Sequence, residues 1–283
     1  MDYQTIKNWK FPVVHQTYTA KDSILYALGI GLGQEATDAS HLQFTYEKNL
    51  QAFPTIAVVL GYPGFWMKDP ATGVNWVKLV HGEQRLNIHQ PIPAEGKVVS
   101  TLKITHVIDK GADKGALVIS ERSLSDDRGS LLATITSTTF CRGDGGLSQT
   151  DESPEQLKAT PDTAPDVTCT ITTLPQAALI YRLSGDDNPL HADPAVATAA
   201  GYPKPILHGL CTYGVAARAV VQMLCGNDAS KLTALHNRFS SPVYPGETLV
   251  VDMWRTGSNS ASYRAKVAER DVVVLSHGYA EFK

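Results

Sequence analysis

The sequence has little with which to build covalent or metal cross-links. It contains four cysteines, Cys141, Cys169, Cys211 and Cys225, and no two of them form a C-x-x-C pair. That argues against a disulfide-stapled secreted scaffold and leaves the thiols as reduced apolar fillers of a cytosolic protein. Neither charge is in excess: 25 Lys and Arg stand against 28 Asp and Glu, a formal net charge of -3. Such a balance gives no electrostatic reason to expect nucleic acid as a partner. Long apolar runs are missing as well. The longest uncharged apolar stretch, Ala52 to Met67, is interrupted by Pro54, Gly61, Pro63 and Gly64, so no membrane span is expected. Met1 to Lys7 lacks the apolar core of a signal peptide, and the final Phe282-Lys283 does not spell the Ser-Lys-Leu peroxisomal address. Together these absences point to a cytoplasmic protein.

What is present suffices for real cores: 43% of the residues are hydrophobic and 19% charged. The length suits two domains of about 140 residues each. A polar, Gly-rich, poorly periodic stretch opens at Arg142-Gly143-Asp144-Gly145-Gly146. Residues 143–164 therefore read as a linker between a domain over 1–142 and a second over 165–283. An internal echo supports the division. Tyr26-Ala27-Leu28-Gly29 parallels Tyr181-Arg182-Leu183-Ser184-Gly185, and Arg85 to Gly96 parallels Arg238 to Gly246. The separation of about 155 residues fits a duplicated domain and is too long for a solenoid period.

The expected elements repeat in order. Lys21 to Gly31 reads as a short helix; Thr101 to Val107, Ala116 to Arg122 and Leu131 to Phe140 alternate like antiparallel strands. In the second half, Pro175 to Leu183 and Gly209 to Cys225 read as helices, and Thr248 to Thr256, Ser262 to Glu269 and Val272 to Glu281 as strands. Gly209 to Cys225 is apolar nearly all round, with only Arg218 and Gln222 strongly polar, so it is expected to be buried.

The chemistry concentrates in Gly185-Asp186-Asp187-Asn188-Pro189-Leu190-His191. Asp186 and His191 flank a Pro-containing turn and can exchange protons near neutral pH, while Asn188 can donate and accept to orient a small molecule between them. Downstream, Pro205-Ile206-Leu207-His208-Gly209 opens the buried helix. The first N–H groups of a helix lack partners within it and favour negative charge, and glycine lets a carbonyl oxygen approach. A metal site from His191, Asp193, His208 and Cys211 is conceivable by ligand type, but the spacing fits no standard zinc pattern. Ile30-Gly31-Leu32-Gly33 has the wrong spacing for a dinucleotide fingerprint.

The segment Gly185 to His191 resembles the G-D-x-N-P-L-H signature of the MaoC-like, type-2 enoyl-CoA hydratases, at every polar position. The resemblance implies an α+β double hot-dog fold, two antiparallel sheets each wrapped round a long central helix. It also implies a reversible hydro-lyase joining (2E)-enoyl-CoA and (3R)-3-hydroxyacyl-CoA, of medium or long chain. Asp186 and His191 would be the acid–base pair, in an order the sequence leaves open, with Asn188 orienting water and Gly209 holding the thioester oxygen. The first half would be a degenerate copy that makes room for the acyl tail. Substrate contacts carried over by local match are His81 and Gly82, Lys110, Asp187, Pro189 and Leu190 in the loop, and Phe239. Lys110 reads equally as a phosphate partner and as a solvated turn lysine; Phe239 and His81 also have ordinary packing roles open to them. Hydration needs neither metal nor redox cofactor, since CoA is part of the substrate. A homodimer is compatible with the family's paired units. The alternatives are a hot-dog acyl-CoA thioesterase, and a non-catalytic acyl-CoA binding protein.

Overall fold

The β-branched runs of the sequence become strands. The computed structural model describes residues 1–283. Its first half contains β1 (Val14–Tyr18), β2 (Leu79–Ile88), β3 (Gly96–Asp109), β4 (Ala116–Asp126) and β5 (Leu131–Cys141). The second half contains β6 (Val167–Thr172), β7 (Leu232–Phe239), β8 (Thr248–Gly257), β9 (Ser260–Val267) and β10 (Val272–Phe282). The helices are α1 (Tyr3–Lys7), α2 (Ala20–Gly29), α3 (Leu42–Thr45), α4 (Ala177–Tyr181), α5 (Pro194–Ala199) and α6 (Gly209–Leu224), with short 3-10 turns between them.

The strands form one antiparallel sheet in the order β1-β3-β4-β5-β2-β7-β10-β9-β8-β6. Read outward from its centre, the order β2-β5-β4-β3-β1 is matched by β7-β10-β9-β8-β6, so the echo in the sequence is a duplication in the topology. The fold is the expected α+β double hot-dog, with two differences of detail. The two sheets are not separate: β2 pairs with β7 from Glu83 opposite Arg238 to Asn87 opposite Ala234. And only the second half has a long central helix. In the first half that layer is taken by α2 and by a wholly buried 3-10 turn, Pro54–Val58. Pro54 opens this turn, and the buried Arg122 on β4 closes it by donating to the carbonyls of Leu60 and, at 2.7 Å, Val58.

The halves share one apolar core of 49 residues. Helix α6 runs through it, and its Arg218 is buried with the rest. The Arg218 guanidinium donates to Ile30 O at 2.9 Å and to Gln34 Oε1 at 3.4 Å, so the helix's cation binds the other half instead of solvent. Gly29 and Gly31, which stand in the first half near the place of the second half's polar loop, are packed tight. A Cβ on Gly29 would lie 3.2 Å from Tyr181 Cα, and one on Gly31 2.7 Å from Arg218 Nη1. Tyr26 and Tyr181, equivalent in the echo, stand with ring centroids 5.8 Å apart across this contact. On the sheet's other face, Glu83 takes Arg85 Nη2 at 3.2 Å and Arg238 Nη2 at 2.7 Å, so the echoed arginines grip one carboxylate.

The segment from 143 to 166 contains no helix or strand. Its first part is pinned to the first half, where Asp151 accepts from Lys7 Nζ and Tyr3 Oη, both at 2.6 Å.

Gly214 on α6 gives a test of this packing. Alanine has the better helix propensity, by about 1 kcal/mol. A Cβ there would sit 2.5 Å from Ile30 Cγ2, however, and such overpacking costs about 1–3 kcal/mol. Gly214→Ala is therefore expected to lower the urea unfolding midpoint; a raised midpoint contradicts the tight contact.

Candidate active site

Two successive side-chain-to-backbone turns shape the loop after α4. Gly185 takes a left-handed φ of 115°, open to glycine, and ends the 3-10 turn that extends the helix. Asp186 Oδ1 then accepts from Asn188 N–H at 3.2 Å, and Asn188 Oδ1 accepts from Leu190 N–H at 3.1 Å. The second bond caps a 3-10 turn, Pro189–His191, with proline at its first position. Asn188 thus spends its carbonyl on the loop itself, and its NH₂ is what remains for a ligand.

The turn delivers His191 back to Asp186. Ligand atoms of Asp186, His191 and His208 lie within 4.8 Å of one another. His191 Nδ1 stands 2.9 Å from Ile206 O. A carbonyl can only accept, so the proton sits on Nδ1 and Nε2 carries the lone pair. His208 makes the matching bond, Nε2 to Asp186 O at 3.2 Å. The two imidazole rings are stacked, with centroids 3.7 Å apart and planes at 30°. Burial holds the His191 pKa below its ordinary value, against the opposing pull of the Ile206 carbonyl and of Asp186. Burial, then the neighbouring His191, pushes His208 down to about 3. Both rings are neutral at neutral pH.

Beside them α6 begins. Its first backbone bonds reach His208 O from Cys211 N and Thr212 N, which leaves Gly209 N–H without an acceptor at the positive end of a long buried helix. A Cβ on Gly209 would lie 3.2 Å from Phe239 Cε1. A side chain here would crowd the aromatic ring as well as any approaching carbonyl. The Phe239 ring packs on His81 with centroids 4.6 Å apart. Gly82 is the bulge residue of β2: His81 pairs with Thr139 and Glu83 with Thr138, and a Cβ at Gly82 would meet Thr138 O at 3.2 Å. A carboxylate and a neutral imidazole with a free lone pair thus lie close together, and His208, stacked on that imidazole, immediately precedes the unpaired N–H of Gly209. This set can move protons to and from a water while holding an oxygen that gains negative charge.

Residues 154–277 match the MaoC like domain family, and residues 16–143 match the MFE-2 hydratase 2 N-terminal domain. The 3-hydroxyacyl-thioester dehydratase Y of Mycobacterium tuberculosis is 41% identical over 94% of this chain and 93% of its own. The chain belongs to the MaoC-like hydratase 2 family. Peroxisomal enoyl-CoA hydratase 2 of Arabidopsis thaliana is 37% identical over 97% of this chain and 93% of its own. A MaoC-like dehydratase from Phytophthora capsici superposes with a TM-score of 0.87 at 35% identity, covering 100% of this chain and 99% of that one.

In this member of the hydratase 2 family the remaining predicted contacts are more dispersed. Asp187 and Pro189 are exposed on the loop and Leu190 is half-buried. Lys110 is exposed, at the same end of the sheet as His81 but three strands away, since Leu79 pairs with Cys141, Cys141 with Ala116 and Ala116 with Asp109. The metal quartet considered from sequence is not assembled. Asp193 caps α5 through Ala195 N–H at 2.8 Å, and Cys211 Sγ donates to Gly29 O at 3.3 Å. Asp186, His191 and His208 are close enough to share a cation. No helix is long and apolar enough to cross a membrane.

Sequence reasoning treated His208 only as a metal ligand and missed its place against the loop. The available signal was a histidine immediately before the N–H-presenting glycine. Also unforeseen was a cavity of about 160 Å³ beside the loop. It is lined by Leu25, Tyr26, Ile56, Val59 and Leu60 of the first half and by Leu183 to Gly185 of the second.

The buried histidines set a pH dependence of stability. Burial holds His81 and His236 at about 4 and His208 at about 3, against an ordinary value of 6.5. The unfolded chain therefore takes up protons that the folded chain refuses. The stabilisation is complete above 6.5 and is lost as the pH falls toward 4 and below. The urea midpoint is expected to drop between about pH 7 and pH 5, before most carboxylates titrate; a flat profile there contradicts neutral burial of these rings.

Proposed function

We propose that this chain adds water reversibly to medium- and long-chain (2E)-enoyl-CoA thioesters, giving (3R)-3-hydroxyacyl-CoA. It is an enoyl-CoA hydratase 2 type hydro-lyase, and its acyl-CoA substrate follows from that class. The observation that supports the site assignment is the closeness of Asp186 and His191, with His208, the residue before Gly209, stacked on the His191 ring.

Hydration requires a proton to leave water as its oxygen bonds to the β-carbon. Negative charge then gathers on the thioester oxygen, and a proton must reach the α-carbon. With the Nδ1 proton committed to Ile206, His191 Nε2 is free to take the water's proton. Asp186 accepts the water's other O–H, and the proton taken by the pair is returned to the α-carbon, so the atoms of one water are added in full. Asn188 offers its NH₂ to the water's oxygen. The oxyanion sits on Gly209 N–H; one such donor contributes about 3–4 kcal/mol to stabilising a transition state. No electrons change hands, so no redox cofactor enters.

In this reading the second half, 165–283, carries the chemistry, and residues 143–164 join it to the first. The first half, 1–142, houses the acyl tail. The cavity walled by Leu25, Ile56, Val59 and Leu60 supports that role. The CoA portion passes His81, Gly82 and Phe239 on its way to Lys110, flanked by Asp187, Pro189 and Leu190. The cytosol is the proposed compartment, on the strength of four free buried thiols; the Arabidopsis relative is peroxisomal by name. Because the two units pair within one chain, turnover per chain should not change with protein concentration, whether or not chains form a homodimer.

Activity is read by loss of enoyl-thioester absorbance without release of free thiol, with kcat/KM rising from crotonyl-CoA to decenoyl-CoA. Asp186→Asn and His191→Gln are each expected to lower kcat about 10²- to 10⁴-fold. Release of thiol would make the chain a thioesterase. Acyl-CoA binding without turnover by the parent would make it a binding protein.

A further inference from the structure

One buried residue of the site has no part in the reaction just described. His208 is 1% exposed and occupies the cap position of α6. Helix caps are usually Ser, Thr, Asp or Asn, whose side chains bond a free helix N–H and contribute about 1 kcal/mol. His208 makes no such bond, and its Nδ1 is buried without a partner. A serine would cap the helix and avoid the cost of burying an imidazole. The reason for a histidine therefore lies in what the ring touches.

It touches both ends of the acid–base loop. Its face lies on His191, and its Nε2–H meets the backbone oxygen of Asp186. His191 is otherwise held at one ring atom, by the bond from Nδ1 to Ile206 O. One hydrogen bond does not by itself set the ring plane, because the last torsion of a histidine side chain is soft and is left to the packing around it. A stacked plate removes that freedom and fixes where Nε2 points. The bond to the Asp186 carbonyl ties the loop's first residue to the residue that precedes Gly209.

We infer that His208 is the positioning residue of this site, the plate that sets the plane of His191 and the tie that joins the loop to the start of α6. It acts through its neighbours and is not counted among the catalytic groups. The inference rests on Asp186 and His191 being the acid–base pair; if they are not, Asp186→Asn retains activity whatever His208 does, so the two failures are distinguishable.

Two variants separate the two contacts. His208→Phe keeps an aromatic plate and removes the tie; His208→Gln keeps an N–H donor and removes the ring. Each is expected to lower kcat, toward the roughly 100-fold that a 1 Å misplacement costs, with KM unchanged. Because the plate works through His191, adding His208→Gln to His191→Gln should bring no further loss of kcat. In the parent protein the stacked ring should shift the His191 ring-proton resonances upfield, a readout that needs no variant to fold. Multiplicative losses in the double variant, parent-level kcat in either single variant, or unshifted resonances would overturn the inference.

Discussion

The wall that the two halves build beside the start of α6 depends on the pairing of the two central strands. With Glu83 opposite Arg238, continuing the register sets Gly82 beside Phe239. That juxtaposition brings His81 of one half against the aromatic ring of the other, and the ring in turn lies over Gly209 at the start of α6. A slip of one residue would turn Phe239 to the sheet's outer face and remove the wall beside the helix N-terminus. The register is held outside by Glu83, shared between Arg85 and Arg238, and inside by the common core.

The duplication is symmetric in its strands and asymmetric in its helices. The second half keeps a long helix whose cap residue, His208, touches His191 and the Asp186 carbonyl of the polar loop. The first half has no polar loop at the equivalent place; its Tyr26 to Gly31 stretch is pressed against α4 and α6 instead. Room beside the site comes from a different source, the short turn Pro54–Val58 that stands where a full helix would otherwise fill the layer. Arg122 matters here because it satisfies carbonyls at the end of a turn that has no helix to continue it.

The closeness of Asp186 to His191 was legible because the loop is contiguous, with local turns that the Asp186 and Asn188 side chains themselves set. β3, β4, β5, β8, β9 and β10 were legible for the same reason, since alternation is a local pattern; the two central strands, β2 and β7, were not read as strands. What crosses between the halves was not legible either. The single sheet, the inward turn of Arg218 and the tight packing of Gly29 and Gly31 all depend on partners about 150 residues away, which periodicity does not register. The edge strands β1 and β6 are too short to stand out from their surroundings. His208 is one residue with no pattern around it, and only its neighbours in space give it meaning.

The central claim is spatial: a thioester oxygen on Gly209 N–H places the neighbouring double bond before Asp186 and His191. A crystal structure with a non-reacting saturated acyl-CoA tests it most directly. The account predicts the thioester oxygen within hydrogen-bond distance of Gly209 N, the β-carbon facing His191 Nε2, and the tail entering the cavity between Leu25 and Leu183. A thioester bound elsewhere, or with its carbonyl turned away from α6, would contradict it.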